Sequence, residues 1–240
     1  MAARDRIRSI VIDVPLPSSV AKKLADQFPD VNFAFYGDPD RDAKLAHADA
    51  YVHWNIRPET LAAAPNLRWY QSIAAGVDDD LIPEVLARNL IITNNSGVHA
   101  TNMAEHVLAM MLAFARRLPF LFRAQLEGAW KEQEAHNRMQ EIFELGGQTL
   151  LVVGYGDIGR RLAQICSCLG MTVDAVKRTA SGDSDDATRE IAPIGELARL
   201  LSTADHVAVC LPLTSETRHL FNTERIAQMK AGAYLYNVGD

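Results

Sequence analysis

Gly154-Tyr-Gly156-Asp157-Ile158-Gly159 directly follows an apolar run, Thr149-Leu-Leu-Val-Val, and opens a helical one, Arg160-Arg-Leu-Ala-Gln. A bare glycine pattern is weak; placed between a strand and a helix it restricts the local fold to a strand, turn and helix that can bind phosphate. Gly154 allows the tight turn, Gly156 lets the backbone approach a pyrophosphate, and Gly159 lets the helix pack close to the strand. Amides at the helix start, those of Asp157 and Ile158 among them, together with the positive helix end, then hold the anion. A glycine-rich turn without a ligand is the alternative, and the joint occurrence of strand, spacing and helix argues against it.

The end of the following strand selects the dinucleotide, because an acid there would accept hydrogen bonds from the ribose hydroxyls. Here that strand ends Val176-Lys177-Arg178-Thr179, and the nearest acid, Asp174, sits inside it, where its carboxylate is poorly placed. Lys177, Arg178 and the Thr179 hydroxyl suit a 2′-phosphate, so NADP(H) is expected over NAD(H). Two exposed basic residues after a strand are the plainer alternative.

Strand-like and helical runs alternate along the whole chain. In the first part strands are expected at 9–14, 31–36, 50–54, 68–73 and 90–94, with helices at 18–28, 42–47, 58–64 and 81–89. A second series places strands at 149–154, 172–178, 206–211 and 233–239, and helices at 157–169, 195–204 and 223–229. Such alternation with short loops specifies the α/β class, here two doubly wound parallel sheets with helices on both faces. Between them, residues 102–130 read as one long helix, apolar nearly all round through Val107, Leu108, Met110, Met111, Leu112 and Phe114. A helix of that kind is buried on several sides, between the two units or between two subunits. Asn102 and Glu105 resemble a capping pair at its start. The boundary is expected near residues 98–100, and the Asp-containing stretch 181–190 reads as a solvated loop.

Composition narrows the function classes. The 240 residues carry 24 Lys plus Arg against 30 Asp plus Glu, a formal net charge of −6, which excludes nucleic-acid binding by bulk charge. A hydrophobic content of 48% fills real cores and excludes disorder as the main state. No run is apolar and long enough for a membrane span, and the start, Met1-Ala-Ala-Arg-Asp-Arg, lacks the apolar stretch of a secretory signal, making the cytoplasm the default compartment. Cys166, Cys168 and Cys210 have no disulfide or zinc-type spacing and read as small buried residues, so no metal site is expected.

Further segments form a pattern with the glycine loop: Ser72-Ile-Ala-Ala-Gly-Val-Asp78, Thr93-Asn-Asn-Ser-Gly-Val-His-Ala100, Met103-Ala-Glu-His106, Leu211-Pro-Leu-Thr214 with Thr217, and Asn237-Val-Gly239. Together they resemble, in order and over essentially the whole chain, the D-isomer-specific 2-hydroxyacid dehydrogenases, which include glyoxylate and hydroxypyruvate reductases and phosphoglycerate dehydrogenase. The resemblance implies a flavodoxin-like substrate domain at 1–98 and a Rossmann coenzyme domain at 99–240, the second incomplete, with reaction in the cleft. It implies that Ala74, Ala75 and Gly76 offer backbone amides to a substrate carboxylate, with Ala75 also near the coenzyme. Leu211, Pro212 and Val238 would touch the coenzyme, although ordinary loop packing serves these positions equally well. Trp54 resembles a substrate-pocket position in some glyoxylate reductases and suits a core or rim aromatic as readily. The long helix starting near Asn102 would form part of a homodimer interface.

Hydride transfer to a 2-keto acid needs a cation at the carboxylate and carbonyl, and an acid for the new alkoxide. Similar enzymes place an Arg after the Asn-x-Gly segment and a Glu–His pair farther on. Here the Arg position is Asp240, the last residue, so no catalytic residue is expected in this chain. His99 and His106 are the nearest substitutes and read as packed or surface histidines; the other histidines offer no constellation. The expectations are therefore either an incomplete NADPH-dependent reductase of small 2-keto acids or a non-catalytic, nucleotide-binding or dimerising remnant. The last strand, 233–239, is expected to leave an uncovered sheet edge and low stability.

Overall fold

Short β-branched and aromatic runs form ten strands among the described residues, paired in parallel throughout. The computed structural model describes residues 6–179 and 185–239. The chain divides into two units, Met1–Val98 and His99–Asp240.

The first unit runs β1 (Ser9–Ile12), α1 (Ser18–Gln27), β2 (Asn32–Phe35), α2 (Arg41–Leu45), β3 (Ala50–His53), α3 (Pro58–Ala63), β4 (Trp69–Ser72), α4 (Pro83–Ala87) and β5 (Ile91–Thr93). The strands lie in the order β2-β1-β3-β4-β5, the flavodoxin-like arrangement. Val11, Tyr51, Leu61 and Tyr70 anchor its core. The two tyrosines stack with ring centroids 6.3 Å apart. Each keeps its hydroxyl satisfied, Tyr51 donating to Asp13 at 2.9 Å and Tyr70 to the buried Asp80 at 3.2 Å.

The second unit runs α5 (Ala100–Ala115), α6 (Leu118–Leu126), α7 (Glu132–Asn137), β6 (Thr149–Val153), α8 (Asp157–Cys168), β7 (Thr172–Lys177), β8 (Glu190–Pro193), α9 (Leu197–Leu201), β9 (His206–Val209), α10 (Thr223–Ala227) and β10 (Tyr234–Asn237). Its order, β10-β9-β6-β7-β8, is the dinucleotide-binding arrangement over five strands. Central β6 shows why the sheet is covered twice. Leu150 and Val152 pack on one face with Val107, Met111 and Leu162, whereas Leu151 and Val153 pack on the other with Leu197, Leu200 and Leu201.

Four sequence expectations are corrected. The long helix over 102–130 is two helices: Arg117 adopts a left-handed φ of +54° and Pro119 follows in the first turn of α6, so the hydrogen-bond ladder breaks. Asn102 and Glu105 do not cap α5, which begins at Ala100 with His99 at its N-cap; the Asn102 carboxamide accepts from the Met103 amide. Nor is α5 buried all round, since Ala104, Val107, Met111 and Ala115 form the buried stripe while Leu112 and Phe114 are exposed. Finally, the sequence reading places no strand at 190–193, yet β8 pairs there with β7 from Asp174↔Glu190 to Lys177↔Pro193; of the stretch read as a solvated loop, residues 185–189 form a turn without strand or helix and 181–184 lie outside the described residues. β10 forms an edge of its sheet, with Tyr236 buried and Leu235 exposed. Cys166 is buried, but Cys168, at the end of α8, is exposed. No helix of the described residues is long and apolar enough to cross a membrane.

Candidate functional site

In the second sheet the strand order reverses between β6 and β9, and ligands of such sheets lie outside the carboxyl ends of the strands at that point. The glycine loop occupies this place. Gly154 has φ +103°, and a Cβ there would stand 2.7 Å from the Cys210 carbonyl oxygen. At Gly159 a Cβ would collide with the Gly154 carbonyl and stand 2.7 Å from Val152 Cγ1, which is how close the helix comes to the strand. Gly156, the N-cap of α8, has open space where a Cβ would be. The amides of the first helical turn, at Asp157, Ile158 and Gly159, have no acceptor among the described residues, and free amides at a helix start suit an anion. Behind the loop, the Tyr155 hydroxyl donates to Asp185 at 2.5 Å, and the Arg160 guanidinium lies 5.2 Å from the Tyr155 ring centre. Burial and the Asp185 carboxylate raise the Tyr155 phenol above its ordinary pKa, so it stays a donor. Nothing in the local sequence signals this brace, because Asp185 lies 30 residues from Tyr155.

Beside the loop, a cavity of about 510 Å³ brings together Lys177, Arg178, Leu211, Pro212 and Glu216. Thr217 shapes its wall by donating to the Pro212 carbonyl at 2.6 Å and accepting from the Thr214 amide at 2.8 Å. Thr179 is exposed next to Arg178 and is not among the described residues that line the cavity. Val238 is half-buried and extends the β9–β10 ladder by donating to the Val209 carbonyl at 3.0 Å; next to it, Gly239 passes against the Leu211 backbone. Asp174 is 1% exposed and paired by both carboxylate oxygens with Arg189, which removes it from ligand chemistry. Burial pushes the Cys210 thiol up to about 12, so this cysteine beside the loop is no nucleophile.

In the first unit Ala74, Ala75 and Gly76 follow β4. Two asparagines from the far side of β5 hold the carbonyls of this turn: Asn95 Nδ2 donates to Ile73 at 3.2 Å, the Asn95 amide to Ala74 at 3.0 Å, and Asn94 Nδ2 to Ala75 at 2.6 Å. Gln71 donates in turn to Asn95 Oδ1 at 3.1 Å. With the carbonyls turned one way, the amides of Ala75, Gly76 and Val77 have no acceptor among the described residues, and successive free amides suit a carboxylate. Asn94 and Asn95 lie within a segment the sequence singled out, yet their partners were legible only in three dimensions. Asn95→Ala is expected to lower the unfolding free energy by about 1 kcal/mol, the scale of a lost amide–carbonyl bond, read by urea denaturation; an unchanged midpoint would show that the clamp is slack. Trp54, just past β3, is 57% exposed and so is not a core aromatic. His99 and His106 are exposed and make no side-chain hydrogen bond among the described residues, and Asp240 lies outside those residues.

Residues 108–240 match the family description "D-isomer specific 2-hydroxyacid dehydrogenase, NAD binding domain". The chain belongs to that family of NAD(P)-dependent dehydrogenases. It is 34% identical over 237 residues to glyoxylate/hydroxypyruvate reductase B of Salmonella paratyphi A, covering 96% of this chain and 72% of the relative. D-3-phosphoglycerate dehydrogenase of Mycobacterium bovis is 33% identical over 238 residues, which are 95% of this chain but 42% of that protein, so the chain spans less than half of that relative's length. The crystal structure of a D-isomer specific 2-hydroxyacid dehydrogenase family protein from Aeromonas salmonicida superposes with a TM-score of 0.81 at 29% identity, covering 98% of this chain and 73% of the other. Both parallel sheets thus belong to the two-domain fold of this dehydrogenase family.

Proposed function

We propose that the chain serves NADPH-dependent reduction of a small 2-keto acid of the glyoxylate or hydroxypyruvate class, residues 1–98 binding the substrate and residues 99–240 the coenzyme. The observations that carry this reading are the open space at Gly156 and, beside it, a groove whose wall residue Leu211 packs on Gly154 and whose strand tip bears Lys177 and Arg178. The α8 amides hold the pyrophosphate, Leu211, Pro212 and Val238 border the coenzyme, and Lys177, Arg178 and Thr179 face the 2′-phosphate. The amides of Ala75 and Gly76 orient the substrate carboxylate, with Trp54 at the rim. A bound coenzyme supplies the hydride; the chain's residues bind and orient. Fluorescence titration tests the assignment: NADPH should bind more tightly than NADH, and Arg178→Ala should weaken NADPH about tenfold while changing NADH little. Tighter binding of NADH by the wild type would refute the NADPH preference.

Asp240, at the position of the family's arginine, favours a second reading in which the chain binds coenzyme without turnover, because an acid there repels an anionic substrate. An assay with NADPH and glyoxylate separates the two, and turnover rejects the second. Exposed apolar side chains on α6 and just after it support association of two copies, since Phe122, Leu126 and Trp130 are 60%, 73% and 89% exposed. Sedimentation should give a dimer; a monomer at micromolar concentration would remove that part.

A further inference from the structure

We propose that Glu216 is a specificity-determining residue that competes with a 2′-phosphate for Arg178 and so restrains the preference for NADPH. The inference rests on the reading that this groove takes the adenosine end of a nicotinamide coenzyme. Discrimination between the two coenzymes depends on whether an acid or a cation meets the 2′ position. The acid of the coenzyme strand, Asp174, is buried and bound by Arg189. Glu216 enters from the opposite wall, on the loop after β9, and is the only acid among the described residues that line the groove. Its Oε2 stands 3.6 Å from Arg178 Nη1, and the two side chains are 69% and 83% exposed. A pair so long and so wet is weak, and Arg178 can exchange it for a better partner.

The two coenzymes meet this arrangement differently. A phosphate, with more than one negative charge and three acceptor oxygens, must draw Arg178 away from Glu216 and then lie near a like charge. A 2′-hydroxyl carries no charge and can donate to the same carboxylate. One side chain from a sequence-distant loop thus acts against the phosphorylated coenzyme and for the other.

The test is Glu216→Gln, an exposed substitution that keeps shape and removes charge, with NADPH and NADH titrated separately by fluorescence and calorimetry. NADPH is expected to bind about two- to fivefold more tightly, the scale of one solvent-exposed charge contact, while NADH binds no more tightly than before. In an Arg178→Ala background the gain should shrink to the part that relief of the like charge alone supplies. A ratio of the two dissociation constants that stays at the wild-type value, a shift toward NADH, or an undiminished gain without Arg178 would overturn the proposal. The broader reading fails separately: a wild type that prefers NADH removes the NADPH assignment yet leaves the effect of Glu216→Gln on the ratio readable, whereas a folded protein that binds neither coenzyme sinks both.

Discussion

Gly159→Ala is expected to lower the unfolding free energy by about 2 kcal/mol, whereas Gly156→Ala should leave it nearly unchanged and weaken NADPH binding at least about tenfold. The contrast follows from where each added methyl would go. At Gly159 it meets the Gly154 carbonyl and stands 2.7 Å from Val152 Cγ1, atoms of the turn and of a fully buried strand that cannot move aside independently. Alanine's better helix propensity returns only about 1 kcal/mol, less than the overpacking costs, so the clash decides the sign. At Gly156 the methyl enters open space in the free protein. Only a ligand lying against the turn would collide with it. Guanidinium denaturation and coenzyme titration of the two variants read the two effects separately; a Gly156→Ala protein that binds NADPH as tightly as the parent would mean that the pyrophosphate lies elsewhere.

Between pH 6.5 and pH 4 the protein is expected to lose about 3 kcal/mol of stability through His206 alone. Burial lowers the pKa of this side chain from 6.5 to about 4, against a smaller opposing effect of the Asp205 charge. Its Nε2 donates to Gln148 Oε1 at 2.6 Å and its Nδ1 lies 3.0 Å from the Tyr236 hydroxyl, the pattern of a neutral ring. Tyr234 stacks on it at 5.3 Å, leaving no room for water to solvate a cation. In the unfolded chain the imidazole takes a proton as pH falls through 6.5, while in the folded protein it stays neutral until about 4. The unfolded state therefore binds more protons across this window, and stability falls as pH falls. His206→Gln keeps hydrogen-bonding capacity and removes the titration. Its stability should start lower and vary less from pH 7 to pH 4.5. Equal slopes for parent and variant, measured as urea midpoints, would show that the ring is not held neutral.

The glycine loop and the strand–helix alternation were legible because each depends on neighbours within a few residues. Leu150 to Val153 show a continuous apolar run, which only a strand covered on both faces can bury. The same local logic failed at Arg117, where a run that looks helical is interrupted by one left-handed residue. It failed again at β8, a four-residue edge strand, Glu190–Pro193, whose own sequence contains a proline and a charge. An edge position next to β7 accommodates both, and nothing local announces that position.

By itself the sequence determined the class of fold, most of the strand–helix alternation, and the glycine turn that opens α8, since hydrophobic periodicity and glycine geometry are properties of consecutive residues. Tertiary structure alone decided how the charges and carbonyls near that place are used. Arg189 claims Asp174 from 15 residues away, and Asn95 turns the Ile73 carbonyl from 22 residues away. Glu216 reaches Arg178 from a different strand's loop. Coulomb and hydrogen-bond energies depend on distance in space, and the chain brings these groups within reach only once the sheets have formed.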